Sequence, residues 1–184
     1  KPAAGFFSLG VHKVASAAEW PGVKAAIRTE LAQANGLFPR EVLDTAVLII
    51  EECIQGEEYA MDAYFDAAGG PVILNILKHV FSSAADVSDR IYISSKEIIE
   101  AHLARFTDFL AQVGQLTGVH NFPVHVEVRL DEAGQMQPIE VNPLRFGGWC
   151  STPDMTYYAY GFNPYLYFLR GQRPDWETIL AGKA

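Results

Sequence analysis

Residues 121–148, NFPVHVEVRLDEAGQMQPIEVNPLRFGG, constrain the fold of this chain more than any other stretch. Val124, Val126, Val128 and Leu130 alternate with His125, Glu127 and Arg129, the period of a half-buried strand. Residues 131–135 (DEAGQ) are turn formers, and Gln137 to Asn142 alternates again. A hairpin turning about Ala133-Gly134 sets Val128 against Ile139 and Val126 against Val141. On the other face it sets Glu127 opposite Glu140 and His125 opposite Asn142. A slip of one residue would mix the two faces, so this register is favoured.

Directly opposed side chains on a sheet face have Cβ atoms about 5 Å apart, and like charges there repel. Two carboxylates so placed require a cation or a shared proton. The amide oxygen of Asn142 follows Glu140 by two residues and completes an all-oxygen set of Glu127, Glu140 and Asn142. Such a set suits Mg²⁺, which takes one or two carboxylates together with phosphate oxygens. A solvated sheet face would explain one Glu pair on its own. The Asn-Pro-Leu-Arg and the paired glycines that follow favour the metal reading.

A chain of 184 residues, 49% hydrophobic, can bury a substantial core in one or two domains. Its net charge of −8 argues against a nucleic-acid partner, although a divalent metal can bridge an acidic protein to a polyanion. Cys53 and Cys150 have neither CxxC nor zinc spacing, so a reduced, cytoplasmic protein is expected. No apolar run approaches the roughly 18 residues of a membrane span and no signal peptide is visible, so no membrane partner is expected. The sequence opens on Lys-Pro without an initiating Met, and a fragment is expected.

Residues 1–14 read as two short extended pieces about a loop with Gly5, Ser8 and Gly10. Such a loop can bring backbone N–H groups close to an anion, though an ordinary hairpin has the same composition. A helix is predicted over 17–35, with Trp20, Val23, Ile27 and Leu31 on one stripe and Pro21 in its first turn. Val47 to Ile50 reads as a buried strand that leaves the core through Glu51 and Glu52. After a Gln55-Gly56 turn, a second strand places Glu58, Asp62 and Tyr64 on one parity and Tyr59, Met61 and Phe65 on the other. This segment is either a hinge between lobes or a surface hairpin. Val72 to Phe81 is a third strand, whose Lys78 could face a phosphate or be solvated. Ser94 or Ser95 caps a helix running to about Gly118, on which His102 is expected to pack or face solvent. Two short helices start near Thr152 or Asp154 and at Asn163-Pro164, in an aromatic-rich tail expected to close a core.

Taken together, Lys1-Pro2 with its loop, IIEECIQGEEYAMDAY, and HVEVRL with PIEVNPLRFGG resemble the ATP-grasp superfamily in order and spacing. The resemblance implies an α+β fold: a partial nucleotide lobe over 1–50, then a lobe over 51–184 built on a mostly antiparallel sheet with flanking helices. Nucleotide would lie between the lobes. Lys1 would reach the nucleotide phosphates under the loop Gly5–Gly10, which carries Phe6-Phe7 where many relatives have more glycines. Glu51 would sit beside the adenine amino group, Glu52, Cys53 and Ile54 would read the adenine edge, and Glu58 would bind ribose. Lys78 is a further candidate for the nucleotide. Glu127, Glu140 and Asn142 match the family's metal ligands. Arg145 matches the Arg that touches the transferred phosphate. It follows Glu140 by five residues rather than the family's four, so either the loop bulges by one residue or Arg145 serves another role.

The implied activity is an ATP-dependent ligase that activates a carboxylate as an acyl-phosphate for attack by an amine, less readily a thiol. Its cofactors would be ATP and Mg²⁺, with Mn²⁺ as a substitute, and its partners small carboxylates and amines. The oligomeric state is left open, a homo-oligomer included. The alternative is a regulatory nucleotide-binding module without ligation.

Overall fold

The computed structural model describes residues 1–5, 8–39, 41–83, 91–148 and 151–183. The chain divides into two compact units, Lys1–Cys53 with Val80–Ile91, and Ile54–His79 with Tyr92–Ala184.

In the first unit, helix α1 spans Trp20–Ala34 with Pro21 in its first turn and buries Ile27, Leu31 and Ala34. The Glu30 carboxylate accepts hydrogen bonds from the Gly10 N–H at 3.2 Å and from the His12 ring at 3.0 Å, tying the N-terminal loop to the helix. Residues 1–3 are extended, but they do not form a hairpin with 8–14. They pair with 47–49 instead, through Ala3 N–H to the Val47 carbonyl (2.9 Å) and Ile49 N–H to the Lys1 carbonyl (2.8 Å). That pairing is a single bridge between Pro2 and Leu48. The expectation of a buried strand at Val47–Ile50 is therefore corrected: all four side chains are exposed within this chain, Ile50 by 82%. A continuous apolar run looks the same whether or not anything covers it. Phe6 and Phe7 of the expected phosphate loop lie outside the described residues.

The second unit is organised around a five-stranded antiparallel sheet of order β3-β2-β1-β4-β5. Strand β1 is Glu57–Phe65, β2 Pro71–His79, β3 Tyr92–Ile93, β4 Phe122–Leu130 and β5 Met136–Pro143. The third predicted strand ends at His79 rather than Phe81. Between β3 and β4 runs helix α2, Lys96–Thr117, opened by the Ser95 side chain on the Ile98 N–H and closed by Gly118 at φ 65°.

Parity decides the two faces. Tyr59, Met61 and Ala63 of β1 pair with Val128, Val126 and Val124 of β4. This set, with Phe65, meets Ile99, Phe106 and Leu110 of α2 in one core, each side chain at most 4% exposed. Burying each Val, Ile, Leu, Met or Phe of this set contributes roughly 1.5–3 kcal/mol. The opposite face carries Glu58, Ala60 and Asp62, paired with Arg129, Glu127 and His125. Helices α3 (Ser151–Tyr160), α4 (Pro164–Arg170) and α5 (Trp176–Ala181) complete the unit. The first two are the predicted short helices; the third is additional, capped by Asp175 on the Thr178 N–H. Tyr160, Phe162 and Trp176 are buried, so the aromatic tail does close a core.

The predicted β4–β5 register holds where the carboxylates lie, with Glu127 opposite Glu140, Val126 opposite Val141 and His125 opposite Asn142. It shifts just beyond, because a bulge between Glu127 and Val128 sets Val128 against Pro138 rather than Ile139. Proline has no N–H to give a ladder, and bulges on an edge strand accommodate it.

Candidate functional site

β4 and β5 bring Glu127, Glu140 and Asn142 together on one sheet face. Glu127 is mostly buried, with a side chain 13% exposed, while Glu140 lies exposed on the edge strand. The Asn142 amide donates to Glu140 Oε1 at 2.7 Å, which leaves its oxygen as the donor for a cation. Neither carboxylate has a Lys or Arg ion pair among the described residues. Opposed carboxylates with oxygen neighbours and no Lys or Arg partner, only the His125 ring behind Glu127, fit a hard divalent ion. Among the described residues no three His, Cys, Asp or Glu side chains form a metal cluster. A cation on this set would need the Asn142 oxygen and ligands from outside the protein, as Mg²⁺ sites that also take phosphate do.

Behind Glu127 stands a pair that sequence reasoning missed. Register puts Asp62 opposite His125, and Nδ1 of His125 meets Asp62 Oδ1 at 2.7 Å, with His125 1% exposed and Asp62 fully buried. The other ring nitrogen, Nε2, lies 3.3 Å from Glu127 Oε1. Burial opposes a charge on His125, but Asp62 and Glu127 outweigh it and push the imidazole up to about 9. Asp62 also accepts the Gly147 N–H at 2.9 Å and the Thr152 hydroxyl. A buried carboxylate is tolerated only when paired and hydrogen-bonded in this way. The available signal was parity: His125 and Glu127 share a face of β4, and Asp62 shares one with Glu58 on β1.

Glu58 forms a second buried cluster. His79 Nδ1 lies 2.5 Å from its Oε1, and Arg129 donates to its Oε2 through Nε at 2.9 Å and a terminal nitrogen at 2.7 Å. Burial raises the Glu58 carboxyl, but His79 and Arg129 together hold it below its ordinary value. Arg129 also donates to the Ile54 carbonyl at 2.8 Å. The structure thus gives the expected ribose-binding Glu58 two protein partners, one of which fixes the backbone of the expected adenine-reading segment. Arg129 was legible only as the next polar residue on β4.

Lys78 is separated from the carboxylate face. It pairs across the sheet with Tyr59, forms an ion pair with Glu57 and lies 5.8 Å from the Tyr59 ring centre, on the α2 side. His102 stacks there too, its ring 4.5 Å from Tyr59 and 5.2 Å from Phe106, the expected packing role. In the first unit, Lys1 Nζ lies 2.5 Å from Glu51 Oε2, so those two expected nucleotide residues come together. Glu52 and Cys53 are exposed. Arg145 is exposed and donates to the Phe146 carbonyl at 3.3 Å. Leu144, the residue before it, adopts φ 59°, in the left-handed region.

An antiparallel sheet whose last hairpin opposes two glutamates and continues into Asn-Pro is what the sequence resemblance leads one to expect. The match is specific: residues 1–153 fit the family model for the ATP-grasp domain. The chain belongs to the ATP-grasp family. An L-amino acid ligase from Bacillus licheniformis is similar over 65% of this chain and 30% of its own, at 28% identity and a TM-score of 0.54. A biotin carboxylase from Campylobacter jejuni, solved with β,γ-ATP, covers 89% of this chain and 34% of its own, at 14% identity and a TM-score of 0.51. The second likeness shows the fold alone. The chain thus spans about a third of the length of each. Comparison with curated proteins finds no match. No helix among the described residues is long and apolar enough to cross a membrane.

Proposed function

We propose that this chain is the metal- and nucleotide-binding part of an ATP-dependent carboxylate–amine ligase acting on amino acids. The observation that carries the reading is the register of Glu127 against Glu140, with Asn142 beside it, in an ATP-grasp domain. The amino-acid substrate class rests on the likeness to the L-amino acid ligase.

In this reading Glu127, Glu140 and Asn142 hold Mg²⁺, with Mn²⁺ as a substitute. The ion, when bound, would neutralise phosphate charge as the terminal phosphoryl group moves to the substrate carboxylate. Arg145 would meet the transferred group, since its side chain is exposed beyond the metal ligands on β5. Lys1, Glu51, Glu52, Cys53 and Ile54 keep the nucleotide contacts that the family resemblance implies. Glu58 serves instead through Arg129, holding the Ile54 carbonyl in place. No residue need form a covalent intermediate: positioning and fixed charge supply the catalysis. The amine then attacks the acyl-phosphate and releases phosphate.

The test is ADP release from ATP by the protein with a panel of L-amino acids, beside Glu140→Gln. Amino-acid-dependent ADP release that falls at least about 100-fold in the variant supports the reading. Turnover that the variant keeps would overturn the metal assignment.

A further inference from the structure

We propose that His125, anchored by Asp62, is a positioning residue that fixes the Glu127 carboxylate for a divalent cation. The proposal rests on the metal reading above and goes beyond it by assigning the group that sets the ligand's orientation.

The geometry runs outward from the core. Asp62 on β1 and His125 on β4 are register partners, and each is at most 1% exposed. Both ring nitrogens of His125 face carboxylate oxygens, Asp62 Oδ1 at 2.7 Å and Glu127 Oε1 at 3.3 Å. A carboxylate offers only acceptors, so an imidazole between two of them hydrogen-bonds Asp62 through Nδ1 and makes an ion-pair contact with Glu127 through Nε2.

The ring cannot turn away. Gly147 lies so close that a Cβ there would sit 2.2 Å from His125 Cε1. Its N–H donates to the same Asp62 oxygen that faces the ring. Thr152, at the start of α3, directs its one hydroxyl proton between the other Asp62 oxygen and the Gly147 carbonyl. From there the hydrogen bonds continue through Thr156, Asn75 and Ser94 to Tyr160. Asp62 is thus held by Gly147 and Thr152, and it holds His125.

Glu127 is otherwise a side chain with three rotatable bonds opposite another carboxylate. Repulsion from Glu140 would swing it aside unless a donor held one oxygen. Pinning Oε1 to His125 leaves Oε2 to the cation. Removing such supporting donors costs metal sites roughly 10–100-fold in affinity.

Two substitutions separate this role from a purely structural one. The His125→Asn amide nitrogen can replace Nδ1 and satisfy Asp62, but it cannot reach Glu127. The His125→Gln amide nitrogen can replace Nε2 and reach Glu127. Mn²⁺ binding by the full chain in the presence of ADP is followed by electron paramagnetic resonance, and folding by thermal melting. We expect His125→Asn to fold with a lowered melting temperature, since Asp62 loses its charged partner, and to bind Mn²⁺ about 10–100-fold more weakly, with His125→Gln restoring most of the affinity. A folded His125→Asn that binds Mn²⁺ like wild type overturns the positioning role while Glu140→Gln still loses the ion. A wild-type chain that binds no Mn²⁺, or a Glu140→Gln variant that binds it normally, overturns the metal reading itself. Where His125→Asn does not fold, the imidazole ¹⁵N resonances of the unsubstituted protein decide. Mg²⁺ with ADP should shift Nε2 and leave Nδ1 in place; an unmoved Nε2 overturns the proposal.

Discussion

Arg129 donates from Nε and a terminal nitrogen to a single oxygen of Glu58, while its third nitrogen holds the Ile54 carbonyl at 2.8 Å. One guanidinium thus joins β4, β1 and the segment entering β1. Because Glu58 is buried, truncating Arg129 leaves a carboxylate with only His79 beside it. Arg129→Ala should cost about 2–4 kcal/mol, somewhat below the roughly 3–5 of a fully buried pair because Arg129 is partly exposed. Arg129→Lys should recover only part, since an ammonium cannot make the three directed bonds. Urea denaturation of the two variants measures both.

The same cluster sets an acid limit. The folded Glu58 carboxyl lies below its ordinary value of 4.5. Its contribution is therefore fully present above 4.5 and is lost as the pH falls through the folded value. Glu58→Gln should be less stable than wild type at pH 7, and the gap should narrow below about pH 4.5. Melting temperatures taken from pH 7 down to pH 3 test this; a gap independent of pH would contradict it.

Asp62 is fully buried and accepts from His125, Gly147 and Thr152. Asp62→Ala leaves the buried His125 Nδ1–H and the Gly147 N–H without an acceptor, a loss of about 3–5 kcal/mol or a failure to fold. Asp62→Asn keeps one acceptor and should cost less. Denaturation midpoints rank the two.

Leu144 is 70% exposed at φ 59°, so it contributes little burial and carries left-handed strain of about 1–2 kcal/mol. Leu144→Asn or Leu144→Gly should leave stability unchanged or raise it by up to about 1 kcal/mol. A loss above 1 kcal/mol in thermal melts would show that the side chain packs in solution.

Lys78 lies on the α2 face, paired with Glu57, whereas Glu127 and Glu140 lie on the other. Lys78→Ala should therefore change ADP affinity less than about twofold and stability by at most about 1 kcal/mol. Calorimetry with Mg²⁺ and ADP decides; a tenfold loss would return Lys78 to the nucleotide.

The two strands of the last hairpin and the pairing of Glu127 with Glu140 were legible because alternation fixes which side chains share a face and a turn fixes where they meet. Helix α2 was legible for a similar local reason: Ser95 and Gly118 are cap residues acting on their own backbone. The bulge at Ile139 was not, since it depends on how the Pro138 backbone fits an edge strand. Nor was the exposure of Val47–Ile50, because a run of apolar residues does not say what covers it.

Local periodicity and capping thus determined the elements of this chain and the carboxylate face that a metal would use. Only the tertiary structure decided what stands behind that face. Asp62 and His125 are 63 residues apart, as distant in sequence as they are close in space. Glu58 is 71 from Arg129. Those contacts arise from the β1–β4 register, a long-range pairing set by the core on the far side of the sheet. Neither strand's own sequence names its partner.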